Sequence, residues 1–219
     1  MLTRSEENYL KTIFHLSEGG KREVNTNSVA ESLNTKPASV SDMIKKLSSK
    51  SLLSYQKYKG VNVSDQGKTE ALKVIRKHRL WEVFLVDKLK FNWDEVHEIA
   101  EQLEHIKSPD LVNRLDQFLG YPTVDPHGDP IPDEHGEINI GAQVSLADAD
   151  LNSRCMVVAV DDANSALLKH LDRIKIQLGT RFKIIEKIDF DSSILIQIEG
   201  GSEIFLSKKI TNCIMVSQL

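Results

Sequence analysis

Apolar positions recur at helical spacing from the start of the chain. Tyr9, Leu10, Ile13, Phe14 and Leu16 share a stripe in residues 5–18, with Ser5 as the expected N-cap and Gly19-Gly20 as the stop. A short helix is predicted over 26–33, then a turn at Asn34-Thr35. Pro37 then opens a second helix, because proline suits the first helical turn, and Val40, Met43, Ile44 and Leu47 form its apolar stripe. Leu53 to Val63 reads as two short strands around Lys59-Gly60. Longer helical patterns follow over 68–89, from Asn92 or Trp93 to His105, and over 110–119. After the Pro, Gly and Asp-rich stretch 120–141 the period changes to two. Strands are predicted over 154–160, 182–189, 194–198, 204–206 and 213–216, with one helix at 165–173.

This order predicts a mainly α protein with a small β part. The expected domains are a winged helix-turn-helix over 1–67, a helical metal-binding and dimerisation domain over 68–120, a linker over 121–141 and an SH3-like (FeoA-like) β-barrel over 142–219. Hydrophobic residues make up 40% of 219, enough for a real core. No apolar run reaches membrane-spanning length and the first residues have no signal-peptide pattern, so a soluble, cytoplasmic protein is expected. Cys155 and Cys213 read as two buried thiols rather than a disulfide.

Charge divides the chain. Residues 1–80 hold 15 Lys and Arg against 8 Asp and Glu, while 81–219 hold 13 against 24. A basic head on an acidic body suits a polyanion partner at one end and a cation at the other. In the head, the helix beginning at Pro37 offers Lys36, Ala38, Ser39, Ser41, Asp42, Lys45 and Lys46. Short side chains near its start suit base edges and the lysines suit phosphates, with Lys57 and Lys59 on the hairpin reaching the DNA backbone. A reader this small predicts a homodimer on an inverted repeat of double-stranded DNA.

In the body, His97, Glu101, Glu104 and His105 fall on one stripe if a continuous helix carries them, and His78 and Glu82 are one helical turn apart. Imidazoles mixed with carboxylates suit manganese, iron(II) or zinc. His127 and His135 lie in the Pro/Gly-rich stretch and read as solvated loop residues, while His15 and His170 read as structural.

Several blocks together resemble the diphtheria-toxin-repressor and manganese-transport-regulator family: EENYLKTI at 6–13, PASVSDMIKKL at 37–47, HRLWE at 78–82, VHEIAEQLEH at 96–105 and DPHGDPIP at 125–132. The resemblance spans essentially the whole chain. It implies an activating metal site at Glu101, Glu104 and His105 joined by Asn8, and an ancillary site at His78, Glu82 and His97. It also implies that metal acts as corepressor for operators of metal-uptake genes. The iron-sensing branch has a cysteine where this chain has Glu101; a carboxylate there favours Mn(2+) over Fe(2+), with Zn(2+) able to bind in vitro. The chain departs from the family's pattern at Asn8, where manganese sensors tend to carry aspartate, and at Lys11, where some members place an acidic ligand. The alternative is a dinuclear metalloenzyme using the same His/Glu set, but neither HExxH nor paired E-x-x-H motifs are present. A non-enzymatic regulator is therefore expected.

Overall fold

The computed structural model describes residues 2–56, 60–139, 141–161 and 164–219. They form two compact units. One comprises Met1–His78, Glu101–Pro109 and Pro132–Glu137; the other comprises Arg79–Ala100, Asp110–Ile131 and Ile138–Leu219. The stretch expected to be a linker is thus divided, its first part folding with one unit and a later part with the other.

In the first unit, α1 (Arg4–Leu16), α2 (Thr26–Ser32) and α3 (Pro37–Ser49) pack together with the antiparallel hairpin β1 (Leu53–Gln56) and β2 (Gly60–Val63). The start of α1 is set by Thr3 rather than Ser5. Thr3 Oγ1 accepts from the Glu6 amide, and Glu6 accepts from the Thr3 amide at 2.8 Å, a reciprocal cap. Leu10, Ile13, Val29, Val40, Ile44, Leu47 and Val61 are buried. Each such side chain contributes about 1.5–3 kcal/mol by leaving water. The long helix α4 (Asp65–Asp87) starts three residues earlier than the apolar pattern suggests and takes Gly67 into its first turn. A Cβ there would lie 1.9 Å from the Leu52 carbonyl oxygen, so only glycine lets the helix approach the hairpin.

The expected helix from residue 92 to 105 is shorter than its pattern. Asn92 and Glu95 close a turn on each other, and α5 runs only from His97 to Leu103. Glu104 and His105 lie in the turn that follows it, so the stripe of four does not sit on one continuous helix. The next helix, α6 (Pro109–Phe118), buries Val112 and Leu115 against Leu80, Val83 and Ile131.

The remainder of the second unit is an antiparallel sheet of β3 (Val144–Ser145), β4 (Arg154–Val160), β5 (Arg181–Lys187), β6 (Ile194–Ile198), β7 (Glu203–Leu206) and β8 (Ile214–Gln218), with α7 (Ser165–Arg173) and α8 (Lys208–Thr211) between strands. Its order is β3-β8-β4-β5-β6-β7. Among the described residues this sheet is open, with β3 and β7 at its edges; the closed barrel expected from the strand pattern is not formed by these pairings. Alternation explains the core. Cys155 and Val157, Phe182 and Ile184, Ile194 and Ile196, and Ile214 and Val216 all point inward with Leu168 and Leu171 of α7. Cys155 is buried and reduced as expected, while Cys213 is only half-buried and donates to the Lys209 carbonyl.

Candidate metal centre

Among the described residues, each unit holds a cluster of acids and imidazoles. In the first unit Glu104 is fully buried. Its Oε1 and Oε2 accept from Lys11 Nζ at 2.7 and 2.8 Å, and its Oε2 lies 2.5 Å from His78 Nδ1. Burial alone would raise this carboxyl, but the His78 bond and the Lys11 charge outweigh it and hold the group below the usual carboxylate range. His105 Nδ1 lies 2.6 Å from Glu7, and its Nε2 is buried without a hydrogen-bond partner, 3.6 Å from Glu104. Asn8 Oδ1 is likewise buried without a partner. Glu101 is half exposed and reaches Lys11 at 3.5 Å. Lys77 feels Glu7 and Glu104 as well, although burial keeps its ammonium below its ordinary range. Among the described residues, Glu101, Glu104 and His105 do not form a group whose donor atoms all lie within 4.8 Å of one another.

The second unit holds a different arrangement. Glu82, Asp125 and His127 are all buried, and one donor atom from each lies within 4.8 Å of the others. His127 Nδ1 is 3.9 Å from both Glu82 Oε2 and Asp125 Oδ1, and His97 Nδ1 is 3.7 Å from Glu82 Oε1. The other ring nitrogen of His127, Nε2, lies 2.8 Å from the Trp93 carbonyl oxygen. A carbonyl only accepts, so Nε2 carries the proton in the neutral ring and the Nδ1 lone pair faces the two carboxylates. The Trp93 indole stacks on the imidazole at 5.9 Å between centroids and fixes its plane.

The loop that seats His127 explains its sequence. Asp125 Oδ1 accepts from the backbone amides of His127 and Asp129 at 2.8 and 3.0 Å, closing a tight turn. Gly128 has φ +92°, and a Cβ there would meet the Val158 carbonyl oxygen at 2.0 Å. The Val160 amide donates to the His127 carbonyl at 2.8 Å, tying the loop to β4. Asp125 Oδ2 has no hydrogen-bond partner, and Arg79 stands 3.6 Å away. Burial, Glu82 and Asp129 together push the Asp125 carboxyl well up from its ordinary value, against the pull of Arg79. Two carboxylates and an imidazole lone pair turned toward one another in a dry place repel unless a proton or a cation lies among them. Mixed oxygen and nitrogen donors of this kind fit a divalent ion of hard to borderline character.

The reading of His127 as a solvated loop residue is therefore corrected: it is wholly buried and brought to Glu82, whereas His135 is exposed as expected. Sequence reasoning missed Asp125 and His127, although the Asp-Pro-His-Gly-Asp block marks them. Asn164 caps α7, accepting from the amides of Ala166 and Leu167. On the basic face, Lys36, Ala38, Ser39, Asp42, Lys45 and Lys46 are exposed along α3. Ser41 gives its hydroxyl to the Pro37 carbonyl, Asp42 pairs with Lys45 at 3.3 Å, and Lys46 lies 3.2 Å from Glu6. Lys57 and Lys59 lie outside the described residues.

The three N-terminal helices with their hairpin, and the buried carboxylate–imidazole clusters, are features to set against known proteins. Family models agree along the chain: residues 1–61 match the iron dependent repressor N-terminal DNA binding domain, 64–133 its metal binding and dimerisation domain, and 144–218 the FeoA domain. The chain is 35% identical over 150 residues to the iron-dependent repressor IdeR of Mycobacterium tuberculosis, which is 68% of this chain and 64% of that relative's length. Among solved structures, a manganese-dependent transcriptional repressor in complex with manganese is 33% identical, with a TM-score of 0.91 over 98% of this chain and 100% of that one. ScaR with bound Cd2+ is also 33% identical, with a TM-score of 0.84 over 98% of this chain and 99% of that one. The chain belongs to the diphtheria-toxin-repressor and manganese-transport-regulator family of metal-dependent transcriptional repressors. Membership gives the metalloenzyme alternative no support. No helix among the described residues is long and apolar enough to cross a membrane.

Proposed function

We propose that the protein is a manganese-responsive repressor that acts in the cytoplasm as a homodimer on inverted-repeat operators of metal-uptake genes. The observation that carries this reading is the buried meeting of Glu82, Asp125 and His127, with the His127 lone pair turned toward both carboxylates. These three hold the ion and His97 stands at its edge. A bound dication would add positive charge between the two carboxylates, beside that of Arg79 at 3.6 Å from Asp125. The absence of a thiolate and the excess of carboxylate oxygens favour Mn(2+) over Fe(2+), and Zn(2+) binds in the same donors under laboratory conditions. Solved relatives hold manganese or Cd2+, which supports a divalent site of this general kind.

α3 reads the major groove in a winged helix-turn-helix, with the β1–β2 hairpin as the wing, and residues 144–218 form an SH3-like domain. Lys36, Lys45 and Lys46 meet phosphates while Ser39 and Asp42 stand near base edges. Metal and DNA affinity are coupled reciprocally, by roughly 1–3 kcal/mol for coupling of ordinary size.

The test is fluorescence anisotropy with a duplex selected from a random pool by the manganese-loaded protein. Affinity should rise on adding Mn(2+) and fall on chelation. Equal affinity in both conditions contradicts the proposal.

A further inference from the structure

We propose that the C-terminal domain acts on the metal centre through Trp93. Asp172 holds the Trp93 indole, Trp93 holds His127, and the two are positioning residues for that ligand. This rests on the metal-responsive reading above and gives residues 144–218 a task within it.

Every link lies in the second unit. The first is α7, whose Leu168 and Leu171 are buried in the core of the sheet. Lys169 and Asp172, three positions apart, share the neighbouring stripe of that helix. Both reach the turn before α5. Asp172 Oδ2 accepts from the Trp93 indole N–H at 2.9 Å, and Lys169 Nζ lies 3.4 Å from Asp94. The other Asp172 oxygen accepts from Gln177 Nε2 at 3.1 Å, so both oxygens are engaged and the carboxylate is held in its plane. Trp93 also packs against the same C-terminal core.

Trp93 then grips His127 twice. Its backbone carbonyl accepts from Nε2 at 2.8 Å, and its ring stacks on the imidazole with 15° between the planes. Glu82 and Asp125 approach the other nitrogen, Nδ1, so an ion among them does not compete with the Trp93 carbonyl. With the proton fixed on Nε2, Nδ1 keeps its lone pair, and the fixed ring plane aims it. Because one residue makes both contacts, loosening Asp172 loosens His127.

The experiment is calorimetric titration of manganese into the full-length protein, following the binding that Asp125→Ala removes. Asp172→Leu should weaken it about 10-fold, and Trp93→Phe by a similar factor, since a phenyl ring stacks but has no N–H. The double variant should be no weaker than either single one, because both break the same bond. Asp172→Asn, whose amide oxygen still accepts, should stay within about 2-fold of wild type. In chelator, side-chain nitrogen NMR should find the His127 proton on Nε2 in wild type and divided between Nδ1 and Nε2 in Asp172→Leu. An Asp172→Leu protein that melts lower but binds manganese as wild type does overturns the proposal, and so do losses that add in the double variant. Should Asp172→Leu not fold, Trp93→Phe against wild type decides the same question. Failure of the underlying reading looks different: Asp125→Ala then takes as much manganese as wild type. The His127 tautomer alone then decides, and one that stays unchanged in Asp172→Leu overturns the positioning role.

Discussion

The two acid–imidazole clusters use the same residue types to opposite ends. Around Glu104, the carboxylates have close partners from the protein: Lys11 on both oxygens of Glu104, His78 on one, and His105 on Glu7. Around Asp125, Arg79 stands 3.6 Å away, and His127 Nδ1 lies 3.9 Å from the carboxylates of Asp125 and Glu82. The difference teaches that composition does not define a metal site. What differs between the two is how closely the folded chain's own cations approach the buried carboxylates.

The sharpest way to break the contrast is at the loop that builds the second cluster. Gly128→Val places a side chain into the Val158 carbonyl at a backbone angle that resists it. Urea unfolding should show a loss of about 4 kcal/mol, and manganese binding should go with it. Next in size, Lys11→Met strips the buried Glu104 of its main counter-charge. In chelator the same measurement should show a loss of about 3 kcal/mol, with the Asp125 site intact. Asp125→Ala leaves the first cluster untouched but removes a proposed ligand; calorimetric titration should show manganese affinity at least about 100-fold weaker.

Smaller effects sharpen the picture of the basic head. Burial alone would raise the Glu6 carboxyl, but bonds from Lys50, the Thr3 amide and Lys46 outweigh it and hold it at about 2, against 4.5 for the free side chain. A depressed carboxyl contributes stability that is fully present above 4.5 and is lost as pH falls toward 2. Acid titration of wild type against Glu6→Gln should differ in that window. Because Lys46 and Lys50 are well exposed, the gap should be only about 1 kcal/mol. Smallest of all, Lys36→Ala should weaken DNA binding by about 3-fold across sequences and lower the salt slope by about one ion.

Much of the fold was legible because its determinants are local. Strands 154–160 and 194–198 and helix 165–173 match the apolar period to the residue, and Pro37 marks the start of α3. Where a longer-range or competing interaction decides, the pattern misleads. Thr3 displaces Ser5 as cap because Glu6 can answer it. The helix toward His105 loses its first turn to the Asn92–Glu95 pairing and ends before Glu104. The sites were harder still. Glu82 and His97 come together as their spacing suggests. His127 looked like a loop residue because what buries it, the Trp93 carbonyl, Glu82 and the β4 backbone, lies more than 30 residues away in sequence. Lys11 showed only as a departure from a pattern, since its meeting with Glu104 spans 93 positions.

The most direct test is an anomalous difference map, collected at the manganese edge, from crystals of the full chain grown with Mn(2+). The account predicts a peak bounded by Glu82, Asp125 and His127. A map with no peak at Glu82, Asp125 and His127 would contradict it.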